Sequence, residues 1–162
     1  MKKFVLTEES KEFNGTTLFR IKALVDFADV KSGDLGGWVE KECNLSHQDN
    51  AWVYDNARVS GNARVFGNAQ VYGDAEVYGD AWVSGNARVS GNDDWIAISP
   101  IGSENGVLTA FKNKDGTVIV NRGSFSGTIE QFEHEVNNRY GDNIYGKIYL
   151  HVIYILNLKF NK

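Results

Sequence analysis

Asn56-Ala57-Arg58-Val59-Ser60-Gly61, Asn62-Ala63-Arg64-Val65-Phe66-Gly67 and Asn68-Ala69-Gln70-Val71-Tyr72-Gly73 are three consecutive readings of one six-residue unit. The units run from Asn50-Ala51-Trp52-Val53 to Asn86-Ala87-Arg88-Val89. Alanine recurs at 51, 57, 63, 69, 75, 81 and 87, and valine at 53, 59, 65, 71, 77, 83 and 89. A degenerate unit, Asn44 to Asp49, extends the frame backward and puts His47 in the valine slot, while Asp93-Asp94 ends it. Alanine and valine two apart lie on the same side of a strand. Both point inward, valine filling the core and alanine leaving room near a corner. Glycine followed by Asn or Asp supplies backbone that accepts positive φ, so the chain turns there. A helix does not sustain this alternation with glycine in every turn, and a disordered tract does not hold valine in one slot. The repeat predicts a β-solenoid.

These hexads resemble the hexapeptide repeat of left-handed β-helix proteins. The resemblance implies that three hexads make one triangular coil, that the coils wind left-handed, and that protomers assemble as a homotrimer. Residues 44–92 then give just under three coils, a stub about 13 Å tall at about 4.8 Å per coil. A stub so short has two open ends and needs caps.

Outward residues eighteen apart stack on one face. Face one carries Trp52, Tyr54, Gln70, Tyr72, Arg88 and Ser90; face two carries Arg58, Ser60, Glu76 and Tyr78; face three carries Arg64, Phe66, Trp82 and Ser84. The stacking pairs Arg58 with Glu76 and sets Arg64 against Trp82. The aromatic patches on faces one and three are candidate contact surfaces for a second copy, a ligand, or the chain's own C-terminal segment. Trp52, Tyr54, Tyr72, Arg88, Arg64 and Trp82 are the candidate interface or ligand residues.

The flanks differ in grammar, dividing the chain into an N-terminal strand and cap (1–43), the solenoid (44–92) and an α+β unit (93–162). Residues 15–27 alternate as one strand. The glycine-rich stretch Gly33-Asp34-Leu35-Gly36-Gly37-Trp38 matches neither a P-loop nor a dinucleotide fingerprint, and Trp38 and Val39 are expected to plug the first coil. After the array, Trp95–Ser99 reads as a strand, and Val107–Lys112 and Thr117–Asn121 as a hairpin. Thr128-Ile129-Glu130-Gln131 starts a helix through Tyr140 with a capping box. A second helix near 143–159 is apolar on more than half its circumference and is expected to pack on the sheet. The fold class is mainly β, with a β-β-β-α-α tail.

The chain has 162 residues, 42% hydrophobic and 23% charged, with 17 glycines against one proline. Cys43 is its one cysteine, so no internal disulfide forms. The net charge of −4 argues against a nucleic-acid partner. No apolar run approaches the roughly 20 residues of a membrane span, and Thr7-Glu8-Glu9 interrupts any secretory signal, so no membrane partner and a cytoplasmic setting are expected.

The whole chain also resembles a group of phage and prophage proteins, through Gly33–Glu40, Asn44-Leu45-Ser46, the hexads, Ile98–Ser103 and Gly123–Phe132. Members are sometimes labelled acyltransferases. The resemblance implies a host cytoplasm and a partner that is a host protein or a host small molecule, such as a defence signal.

Hexapeptide acyltransferases use a histidine base, and the histidines here are His47, His134 and His151. His47 is expected to point along the prism interior, and the other two sit on the helices. No loop interrupts the hexads to cover an acyl-CoA, and the array lacks the several histidines of a zinc site. No cofactor and no metal are expected. The sequence reads as a non-enzymatic binding protein or scaffold, with an acyl-CoA-dependent acyltransferase as the alternative.

Overall fold

A computed structural model describes residues 1–161. Strands β1 (Phe4–Phe13) and β2 (Thr16–Ala23) form an antiparallel hairpin, followed by β3 (Leu35–Val39). Seven two-residue strands follow, one per hexad: β4 (Trp52–Val53), β5 (Arg58–Val59), β6 (Arg64–Val65), β7 (Gln70–Val71), β8 (Glu76–Val77), β9 (Trp82–Val83) and β10 (Arg88–Val89). The tail holds β11 (Trp95–Ile101), β12 (Gly106–Lys112), β13 (Val118–Arg122), β14 (Phe125–Thr128), α1 (Ile129–Tyr140) and α2 (Ile144–Phe160).

The short strands pair in parallel with the strand eighteen residues on: Val53 with Val71 and then Val89, Val59 with Val77, and Val65 with Val83. Three such ladders, one to each side, build a three-sided solenoid. Every alanine and valine of the array is fully buried. The corners carry a second ladder: Asn50 donates to Asn68 at 3.1 Å, Asn68 to Asn86 at 3.4 Å and Asn62 to Asp80 at 3.1 Å. Gly61, Gly67, Gly73, Gly79 and Gly85 hold φ between 62° and 68°, which a side chain would resist.

The N-terminal cap is larger than the single strand expected from 15–27. Asn14 and Gly15 both have positive φ, closing a two-residue hairpin. Its polar first strand, Thr7 to Glu12, gives no apolar alternation to mark it. β2 pairs with β3, and β3 runs parallel to β5, prolonging face two. Val39 enters the core as expected. Trp38 faces outward instead, under the ammonium of Lys11 and the guanidinium of Arg20, because neighbours on a strand alternate sides. The glycines before it serve packing. A Cβ on Gly36 would lie 2.6 Å from the Val53 carbonyl, and one on Gly37 2.6 Å from that of Ala57.

The degenerate first hexad is out of frame. Leu45, not His47, fills the core position beside Val65, so the chain enters the array two residues early and spends the surplus in the 46–50 turn. Asn44 is buried there, its amide donating to the carbonyls of Gly61 and Ala63. Lys3 is also buried, and its ammonium donates to the carbonyls of Ala51, Asp49 and Gln48. Burial lowers its pKa from 10.5 to about 8, against the opposing charge of Asp49.

The tail has four strands, not three, in the antiparallel order β11-β12-β13-β14. β14 is a short Phe-Ser-Gly-Thr segment without an apolar run. β12 is buried on both faces. Leu108 and Ala110 point to the helices, while Phe111 joins Trp95 in the solenoid's core and the Thr109 hydroxyl accepts from the backbone N–H of Trp82 at 3.0 Å. α1 begins at the Thr128–Gln131 capping box, as the sequence indicates. α2 packs through Gly146, Tyr149, Val152, Ile153, Leu156 and Phe160, and its opposite face is bare.

Candidate functional site

A depression of about 710 Å³ lies on face three at the solenoid's N-terminal end. Its floor is the β6–β9 ladder, and its far wall is the short 3₁₀ turn Glu42–Asn44 with the loop that follows. On the floor, Arg64 stands over the exposed Trp82 ring at 6.0 Å, and Phe66 meets the same ring edge-on at 6.0 Å. Trp82 is 46% exposed, an unusual state for so large an apolar ring. Cation, indole and phenyl edge thus face one groove.

His47 stands in the opposite wall. Its ring stacks on Phe4 at 4.2 Å between centroids. Nδ1 accepts the backbone N–H of Lys3 at 3.2 Å, which places the proton of the neutral ring on Nε2, and Nε2 lies 2.8 Å from the Glu42 carboxylate. The hydrogen bond from His47, joined by one from Lys2, holds the Glu42 carboxyl below its ordinary range. Both nitrogens of the ring are therefore engaged, and no lone pair is free to take a proton from an acceptor. The ring does not lie along the prism interior, because the two-residue frame shift gives that place to Leu45.

The other predicted residues are dispersed. Trp52 is 1% exposed, enclosed edge-on by Phe4 and Phe27. Tyr54 donates to Asp29 at 2.9 Å and accepts from Gln70, and burial with Asp29 raises its pKa strongly. The chain's own N-terminal segment therefore covers the upper half of face one, where a partner or the C-terminal segment was the expectation. Its 24–34 loop gives no strand or helix signal to announce this. Tyr72 is half-buried and Arg88 exposed. His134 is exposed on α1, and His151 is exposed on α2 with Nδ1 bonded to the Lys147 carbonyl at 2.7 Å. The three histidines do not meet, and among the described residues no cluster of metal-ligating side chains occurs. Glu42 and Phe66 are groove residues not singled out as site candidates in the sequence. Glu42 precedes the repeat, and its place depends on the frame shift.

The aromatic and cationic groove sits on a three-sided β-solenoid of hexads, an array similar to that of hexapeptide-repeat β-helix proteins. Residues 51–67, 57–73 and 69–85 match the family described as YdcK Beta solenoid repeat. The chain is also 39% identical over 62 residues to the uncharacterized acetyltransferase YdcK of Escherichia coli (strain K12), covering 33% of this chain and 19% of that protein. It thus spans about a fifth of the length of that relative. No described helix is long and apolar enough to cross a membrane.

Proposed function

We propose that the chain is a non-catalytic binding scaffold, its array wound left-handed like the proteins its hexads resemble. The face-three groove takes a small anionic molecule with a planar ring, stacking on Trp82 and paired with Arg64. The observation that carries this reading is the exposed Trp82 ring beside Arg64, in a groove whose histidine has both nitrogens occupied. Stacking on an open indole and charge pairing with a guanidinium favour such a ligand without any chemistry. The likeness to phage proteins supports a host molecule as the ligand, held in the host cytoplasm.

The test is native mass spectrometry of freshly purified protein, with adenosine and guanosine nucleotides titrated by calorimetry. Retained or saturable ligand that is lost in Trp82→Ala and Arg64→Ala supports the reading. Silent titrations and a bare mass contradict it.

A second reading is acyl transfer from acyl-CoA, supported by the likeness to an E. coli protein named as an acetyltransferase and by the His47–Glu42 pair in the groove wall. It requires His47 Nδ1 to be released from the Lys3 N–H before the ring can act as a base.

A further inference from the structure

Arg122, on β13, is 11% exposed at its side chain, and it rests its guanidinium on two neutral acceptors. Nε donates to the Tyr149 hydroxyl at 2.9 Å and Nη2 to the Ile101 carbonyl at 3.1 Å. Nη1 finds no hydrogen-bond acceptor among the described residues. The carboxylate opposite it, that of Glu104, stays 3.9 Å away and is 70% exposed. A buried cation is normally held against a counter-charge at hydrogen-bond distance, because desolvation otherwise penalises it. Tyr149 is 1% exposed, and its oxygen accepts from Nε while its O–H donates to no described group. Burial raises the phenol's pKa against the opposing Arg122 charge, so the proton stays on the oxygen. Two donors without acceptors thus stand side by side, where buried polar groups are as a rule satisfied.

Both residues line one depression of about 350 Å³ between the 102–106 turn, the start of β14 and the two helices. The turn is shaped around them. A Cβ on Gly102 would strike the Tyr149 hydroxyl, and one on Gly106 would lie 2.7 Å from Nη1. Glu135 and Arg139 of α1 join Glu104 and Arg122 in the lining, so it holds two carboxylates and two guanidiniums. Phe125, Phe132 and Tyr140 give it an apolar wall. The depression shares no lining residue with the face-three groove.

We propose that this depression binds a small zwitterion of the α-amino-acid kind. Its carboxylate accepts from Nη1 of Arg122 and from the Tyr149 hydroxyl, the two donors left without acceptors. Its ammonium faces Glu135 and Glu104, and an apolar side chain lies on the aromatic wall. A dianion such as phosphate would meet both carboxylates without a charge to offer them. The volume, at the small end of ligand sites, suits a molecule of this size.

The test is calorimetric titration of the full chain with L-phenylalanine, L-leucine and L-methionine, each beside its N-acetylated form and the amine that lacks the carboxylate. At least one amino acid should bind saturably with a Kd of about 1 mM or tighter. Its two counterparts should bind at least about tenfold more weakly, since each leaves one charge of the site unanswered. Tyr149→Phe, which removes the unpartnered O–H and keeps the ring, should weaken the amino acid at least about fivefold. Arg122→Lys should do the same, and if it misfolds Tyr149→Phe and Glu135→Gln carry the test. Glu135→Gln, at an exposed position on α1, should weaken the amino acid and leave its N-acetylated form unchanged. No saturable binding by any of the three, equal binding of an amino acid and its N-acetylated form, or binding untouched by both Tyr149→Phe and Glu135→Gln would overturn the proposal.

Discussion

The backbone N–H of Lys3 donates to Nδ1 of His47 at 3.2 Å, tying the N-terminal strand to the only histidine near the solenoid groove. One contact thus links the cap to the site. It fixes the ring against Phe4, aims Nε2 at Glu42 and removes the lone pair a general base would use.

The same strand buries the Lys3 ammonium, and this gives a pH signature. The folded chain releases the Lys3 proton near pH 8, the unfolded chain near 10.5. Between those values the unfolded state binds more protons, so stability rises with pH there and is flat below it. The gain is on the order of 1–3 kcal/mol. Tyr54, held protonated above its ordinary range, opposes it only above about pH 10. Urea midpoints measured on either side of pH 8 should show the rise in wild type and a smaller one in Lys3→Met, where Lys11, also held below its ordinary value by burial and by Arg58, keeps a rise of the same sign.

Val71 lies at the centre of its ladder and is fully buried. Val71→Ala should cost about 2 kcal/mol through the lost contacts and the cavity. Val71→Asp should abolish cooperative unfolding, since an unpaired carboxylate enters the core. Thermal melts followed by circular dichroism decide both.

Asn68 both accepts from Asn50 and donates to Asn86 at one corner. Asn68→Ala should cost about 1 kcal/mol by denaturant unfolding, because two exposed amide bonds are lost together.

Gly36 separates packing from a phosphate-cradle role. Gly36→Ala forces a Cβ against the Val53 carbonyl and should destabilise the chain by about 1–3 kcal/mol. Binding of inorganic phosphate, followed by calorimetry, should be absent in wild type.

The solenoid was legible because each slot in the hexad answers to one physical demand, repeated until chance is excluded. The Arg58–Glu76 ion pair, at 2.7 Å, and the Arg64–Trp82 contact follow from the eighteen-residue stacking alone. Thr128 and Gln131 announced α1 through local capping chemistry. What was not legible depends on long-range packing. β1 is polar and irregular, β14 short, and the cover over Trp52 comes from a loop with no periodicity. The site suffered most, because Leu45 instead of His47 took the core slot. A leucine satisfies an apolar interior that an imidazole does not, and that preference was available in the sequence as a reason to shift the frame.

Non-catalytic binding is tested most directly by incubating the protein with acetyl-CoA and a panel of amine and hydroxyl acceptors, following free thiol. With both ring nitrogens of His47 engaged, the account predicts no steady thiol release above that of buffer, in wild type and in His47→Ala alike. Steady release by the wild-type protein that disappears in His47→Ala would contradict it and establish acyl transfer.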